Sequence, residues 1–139
     1  MSRGFLVIDY LSGHESAVQY VTELSRKNVM YSPFNLCIFE PQTNNGYEGL
    51  YYKNTYENSK TGKHIPGEGP KTLSSGVFGF GNHSMSEPFN KTSFGIDKFK
   101  SLVEEKLDIQ KFEEEAISLL NNRKQMYPDK QMQKQSGTG

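Results

Sequence analysis

From Gly76 to Asn82 the chain reads Gly-Val-Phe-Gly-Phe-Gly-Asn, a segment that looks built around a site. Glycine at 76, 79 and 81 allows sharp turns and lets the backbone come close to another group, which leaves Asn82 as the obvious hydrogen-bonding side chain among apolar neighbours. Val77 to Phe80 read as a strand that delivers Asn82 to a loop. The residues before it supply no matching half of a site. Cys37, His14, His64 and the scattered carboxylates stand at no spacing that recurs in nucleophile, base or metal sets, and no metal site is expected.

Length and composition limit what can surround this segment. The chain has 139 residues, 34% of them hydrophobic, and a mean hydropathy of -0.72, which suits one domain or part of one whose apolar faces need a partner or the rest of the domain. Sixteen basic and sixteen acidic residues cancel, so nothing points to nucleic acid or an anionic membrane. The charge is uneven all the same. Glu104, Glu105, Asp108, Glu113, Glu114 and Glu115 outweigh Lys106 and Lys111, whereas Arg123, Lys124, Lys130 and Lys134 meet only Asp129; solvated helix faces and a disordered tail account for both.

A single cysteine excludes an internal disulfide framework and suits a reducing compartment. The apolar run Phe5 to Ile8 is too short for a signal peptide or a membrane span, so the expectation is a cytoplasmic protein with no transmembrane segment. The triplets at Asn82 and Asn90 that match glycosylation acceptors are then chance.

Periodicity organises the rest. Arg3 to Leu11 reads as a helix rather than a strand because Phe5, Ile8 and Leu11 are three apart and Ser12-Gly13 supplies a stop. Val18, Val21 and Leu24 mark the buried face of a second helix from Ser16. Phe34 to Phe39 and Gly49 to Asn54 read as antiparallel strands across an Asn-Gly turn, with a further short strand within His64 to Leu73. After Pro88, Phe94, Phe99, Leu102, Val103 and Leu107 mark a helix over 91–106, and Asp108 caps another with a stripe of Ile109, Phe112, Ala116, Leu119 and Leu120. The domain so read spans 1–123, with a disordered polar tail over 124–139.

Single residues with chemistry are few. Cys37 sits between Leu36 and Ile38 in a strand and reads as a small apolar core residue. His64 and His83, with Met85 or a tyrosine, are the candidates for axial haem ligands; without a fixed ligand spacing, any haem binding is expected to be weak and to depend on no single residue. His14, Lys91 and Lys98 read as solvated. For Asn82 two readings stand open, a turn residue in the left-handed or Asx conformation and a donor to an oxyanion.

Four stretches carry a resemblance: Arg3-Gly4-x-Leu6-Val7-x-x-Tyr10-Leu11, Tyr31-x-x-Phe34-Asn35-Leu36, Gly49-x-x-Tyr52-x-Asn54, and Gly79-Phe80-Gly81-Asn82-x-x-Met85-x-x-Pro88-Phe89-x-Lys91. In order and spacing, over 3–120, the chain resembles the transport and Golgi organisation protein two family, whose members carry an N-terminal Met-Cys and an Asn-Arg-Asp-Glu motif on an N-terminal-nucleophile hydrolase-like fold. The resemblance implies an α+β fold, part of an αββα sandwich of antiparallel strands with flanking helices. This chain has neither the Met-Cys nor the Asn-Arg-Asp-Glu segment, so it looks like a truncated isoform, a partial gene model or a recent partial duplicate, with no catalytic residue expected.

The resemblance places Asn82 at an oxyanion-hole-like position and implies a non-enzymatic role in Golgi organisation and protein secretion, with links to mitochondria and to haem or lipid handling. The alternatives are an N-terminal-nucleophile amidohydrolase acting on linear amides, and a small-ligand carrier for haem or an acyl-thioester. Nine phenylalanines and eight tyrosines supply apolar surface for a ligand without specifying it. No resident cofactor is expected apart from possible haem. Sheet edges left open by missing strands imply self-association or a protein partner.

Overall fold

Ser16 begins a helix by accepting a hydrogen bond from the Gln19 amide while the Gln19 side-chain Oε1 accepts one from the Ser16 amide, a reciprocal capping box. The computed structural model describes residues 3–27, 31–43, 46–122, 124, 129, 130 and 133. Met1–Gly76 and Val77–Gly139 form two compact units.

The first unit holds α1 (Gly4–Ser12), α2 (Ala17–Arg26), β1 (Asn35–Pro41), β2 (Tyr47–Lys53), β3 (Tyr56–Glu57), β4 (His64–Ile65) and β5 (Glu68–Leu73). Strands β1, β2 and β5 make a three-stranded antiparallel sheet in the order β1-β2-β5, and β3 and β4 pair as a small antiparallel ribbon. The register sets Ile38 opposite Leu50 and Leu36 opposite Tyr52, which puts all four on one face. Leu6 from α1 and Ala17, Tyr20, Val21 and Leu24 from α2 pack with Ile38, Leu50 and Tyr52 into one core. The helix-plus-antiparallel-sheet architecture is the expected α+β class. The expected hairpin is β1 and β2, closed by a 2.8 Å bond from the Gln42 amide to the Gly46 carbonyl; Asn44 and Asn45 of the expected Asn-Gly turn lie outside the described residues.

Helix α1 forms where expected but buries a different face. Phe5, Ile8 and Leu11 are 55%, 63% and 74% exposed, while Leu6 is buried and Tyr10 half-buried. Apolar residues nearly surround this helix, so periodicity could not select the stripe; Leu6 and Tyr10, four apart, win because the Tyr10 ring packs on Tyr20 at 5.2 Å. In α2 the buried stripe runs through Ala17, Tyr20, Val21 and Leu24, at i, i+3, i+4 and i+7, which leaves Val18 beside it and exposed. Glu40 joins the layers by accepting from the Tyr10 hydroxyl at 2.9 Å and from the Ala17 amide at 3.0 Å.

Tyr20 donates its hydroxyl to the Leu6 carbonyl at 2.8 Å. Burial first, and the nearby Asp9 carboxylate second, push its pKa from 10.0 up to about 12. The raised value favours the neutral phenol in the folded chain, so this stabilisation is complete below about pH 10 and is lost as pH rises through about 12. Denaturation midpoints measured across that interval should fall steeply for the wild type and less steeply for Tyr20→Phe, with Tyr10 and Tyr52, also raised by burial, supplying the residual slope. Equal slopes would count against this account.

The second unit contains α3 (Asn90–Glu104) and α4 (Ile109–Leu120), which pack together through Phe99 and Phe112, edge to face at 5.7 Å. Asp108 caps α4 as expected, accepting from the Lys111 amide at 2.9 Å. The expected stripe is only partly used. Phe94, Phe99, Leu102, Phe112 and Leu119 are half-buried, but Val103, Ile109 and Leu120 are exposed, because two helices in contact bury only the stripe between them. The expected strand at Val77 to Phe80 does not form; that stretch is irregular, and its glycines serve a helix contact instead. Within the stretch read as a disordered tail, Asp129 is buried and accepts from the Asn90 amide at the start of α3. Residues 134–139 lie outside the described residues.

Candidate functional site

The side chain of Asn54, just beyond β2, is the anchor of a groove in the first unit. Its Oδ1 accepts from the Phe34 amide at 2.8 Å, and its Nδ2 donates to the Tyr31 carbonyl at 3.2 Å and the Thr55 carbonyl at 3.1 Å. A buried amide with both ends engaged holds the 31–34 backbone in one conformation. Arg3 adds a bond from its guanidinium to the Pro33 carbonyl at 2.9 Å. Three of the sequence motifs therefore converge on one segment.

That segment carries two aromatic rings, a buried Tyr31 and a half-buried Phe34. Tyr31 meets Phe34 edge to face at 5.8 Å, and Phe34 meets Tyr52 at 6.0 Å. Together they line a groove of about 420 Å³ whose border also carries Arg26, Lys27 and His64. Burial pushes the Tyr52 phenol above its ordinary range, so at neutral pH that side chain stays uncharged. The arrangement suits a flat or apolar body that carries negative charge. His64, an expected haem-ligand candidate, stands in this groove and is exposed.

His83, the other candidate, does something else. It is buried, its Nδ1 lies 2.8 Å from the Ser84 carbonyl and its Nε2 lies 2.8 Å from Thr92 Oγ1. A carbonyl can only accept, so Nδ1 carries a proton, and in the neutral ring Nε2 accepts from the threonine hydroxyl. The Phe89 ring packs on it edge to face at 4.9 Å. Both nitrogens are occupied, which leaves none for a metal.

The glycines beside His83 follow from the same packing. A Cβ on Gly79 would lie 2.7 Å from Ile96 Cγ1 and 2.9 Å from Thr92 Cγ2, and one on Gly81 would lie 2.9 Å from His83 Cδ2. The backbone of 79–81 is thus pressed against the Thr92 and Ile96 face of α3 and the His83 ring. The motif that looks like half of a site is a close-packed joint. Asn82 is exposed on a bend within it.

Cys37 lies mid-strand opposite Tyr51, half-buried, with burial raising its thiol pKa. It lies on the strand face opposite Leu36 and Ile38 and is not among the residues of the core, the place expected of it. His14 is exposed and borders a separate hollow of about 180 Å³ with Asp9, Glu15 and Glu23. Among the described residues no cluster of three or more His, Cys, Asp or Glu is set to hold a metal. Lys91 and Lys98 are exposed, as expected. Asp129 and the amide network of Asn54 escaped sequence reasoning; an Asn after a strand carries no local sign of partners 20 residues upstream.

The comparisons with known proteins give this α+β chain a lineage. The family model described as Transport and Golgi organisation 2 matches residues 1–138, so the chain belongs to that family. A relative, the Transport and Golgi organization protein 2 homolog of Bos taurus, is 25% identical over 129 residues, which are 91% of this chain and 43% of the relative. The chain thus spans less than half the length of that relative. No solved structure matches. Among the described residues no helix is long and apolar enough to cross a membrane.

Proposed function

We propose that this chain is a non-enzymatic member of its family that contributes to Golgi organisation and protein secretion by handling a haem-like or lipid-like amphiphile in the groove of the first unit. The observation that supports this reading is that the Tyr31, Phe34 and Tyr52 rings line the same groove as Arg26, Lys27 and His64. Haem fits that chemistry: Arg26 and Lys27 would meet its carboxylates, the rings would take its flat face, and His64 would offer an imidazole. The place of work we propose is the cytoplasm at the Golgi, or the mitochondrion.

No observation favours the amidohydrolase alternative. Cys37 is a half-buried thiol whose pKa burial raises, a poor state for a nucleophile. The oxyanion-type role of Asn82 remains a proposal drawn from resemblance.

Hemin titration of the full chain, followed by the Soret band, tests the proposal. A shifted Soret band with micromolar affinity is expected. Arg26→Gln with Lys27→Gln should weaken binding roughly three- to tenfold, the worth of two partly exposed ion pairs. His64→Ala should move the band yet leave most of the affinity, because the rings and cations still act. A Soret band that never responds, or an affinity indifferent to Phe34→Ala and to the double charge variant, would overturn the groove as the site.

A further inference from the structure

Gly95 lies inside α3, where glycine is a poorer helix former than alanine. At Gly79 and Gly81 a neighbouring atom within 3 Å of the Cβ position explains the residue, but among the described residues a Cβ on Gly95 would meet nothing within 4 Å beyond its own helix. No packing demand from the described residues explains it. Gly95 borders a groove of about 270 Å³ in the second unit, with Phe94, Leu119 and Leu120 as its apolar wall. Lys91, Lys124 and Asn122 also line it, and no carboxylate is among the described lining residues. The Lys124 ammonium stands over the Phe94 ring at 5.1 Å. Leu120 is 86% exposed there, an apolar side chain left to water.

We propose that this groove binds a small amphiphilic anion, a medium-chain monocarboxylate, with its chain on Phe94 and the leucines and its carboxylate between Lys91 and Lys124. The missing Cβ at Gly95 keeps the floor open for the chain. The two ammonium groups with no lining acid set the sign of the head group. The volume, near the lower end of small-molecule sites, holds the ligand to a short chain. This site lies in a different unit from the haem-like groove, so hemin results and the results below are independent.

Octanoate added to the full isotope-labelled chain, with 1-octanol as the uncharged control, is the test. Octanoate should perturb amides of 91–95 and 119–122 with a Kd on the order of 1 mM, and octanol should bind at least about fivefold more weakly. Gly95→Leu should fill the groove and abolish binding while the melting temperature holds or rises, because leucine is the better helix former. Lys91→Gln with Lys124→Gln, both exposed positions, should weaken octanoate about fivefold and leave octanol unchanged. The proposal is overturned if octanoate leaves those amides unmoved, if the double lysine variant binds octanoate as the wild type does, or if a folded Gly95→Leu still binds it.

Discussion

His83→Ala is expected to destabilise the 77–139 unit by about 3–4 kcal/mol, through an empty space beneath the Phe89 ring and two broken hydrogen bonds. The Ser84 carbonyl loses the proton of Nδ1, and the Thr92 hydroxyl loses the acceptor at Nε2. The ring is 2% exposed, so water cannot readily replace either partner. Asn82→Ala, one residue away on an exposed bend, should change stability by no more than about 0.5 kcal/mol. Denaturant unfolding followed by far-ultraviolet circular dichroism, with hydrogen exchange of the α3 amides, measures both. Similar losses at 82 and 83 would show that the joint is not organised around the imidazole. Thr92→Val, which removes one of the two partners, should fall between them at about 1–2 kcal/mol.

Asn54→Ala should cost the first unit about 3 kcal/mol, because the Phe34 amide and the Tyr31 and Thr55 carbonyls lose their partner at once. The consequence extends to binding. Releasing the 31–34 backbone displaces the Tyr31 and Phe34 rings, so hemin affinity should fall further than for the double charge variant at Arg26 and Lys27. Exchange rates of the 34–36 amides and the Soret titration read the two effects separately. Wild-type exchange and affinity in a folded Asn54→Ala protein would remove Asn54 from the account of the groove. Asn54→Asp, which keeps the acceptor but buries a charge in place of the donor group, should not restore stability.

The two residues differ in how visible they were. Asn54 belongs to a motif that marks family resemblance, yet its partners, the Tyr31 carbonyl and the Phe34 amide, are backbone groups that no side-chain pattern announces. His83 was visible only as a titratable residue and drew a ligand reading, because a sequence shows that an imidazole is present and not that Ser84 and Thr92 already occupy both nitrogens. Asn82 drew attention for the opposite reason: it is the polar residue amid glycines, but the glycines are there for Thr92, Ile96 and His83. The open space at Gly95 likewise needed coordinates, since a mid-helix glycine reads the same whether it packs or not.

What the residue order determined alone is local. Ser16 with Gln19, Asp108 with the Lys111 amide, the β1–β2 hairpin and the breaks at Gly13 and after Pro88 all rest on interactions within a few residues, or across one turn, and each stands where its pattern places it. The same locality set the helices and the antiparallel class. Tertiary structure decided which face each element buries and what the conspicuous residues do. Leu6 rather than Ile8 enters the core, Val77 to Phe80 stays irregular against α3, and Asp129 closes the start of a helix that begins 39 residues earlier. The physical reason is that burial and hydrogen-bond satisfaction belong to pairs of elements, and the free energy of a pair exists only once the second element is in place.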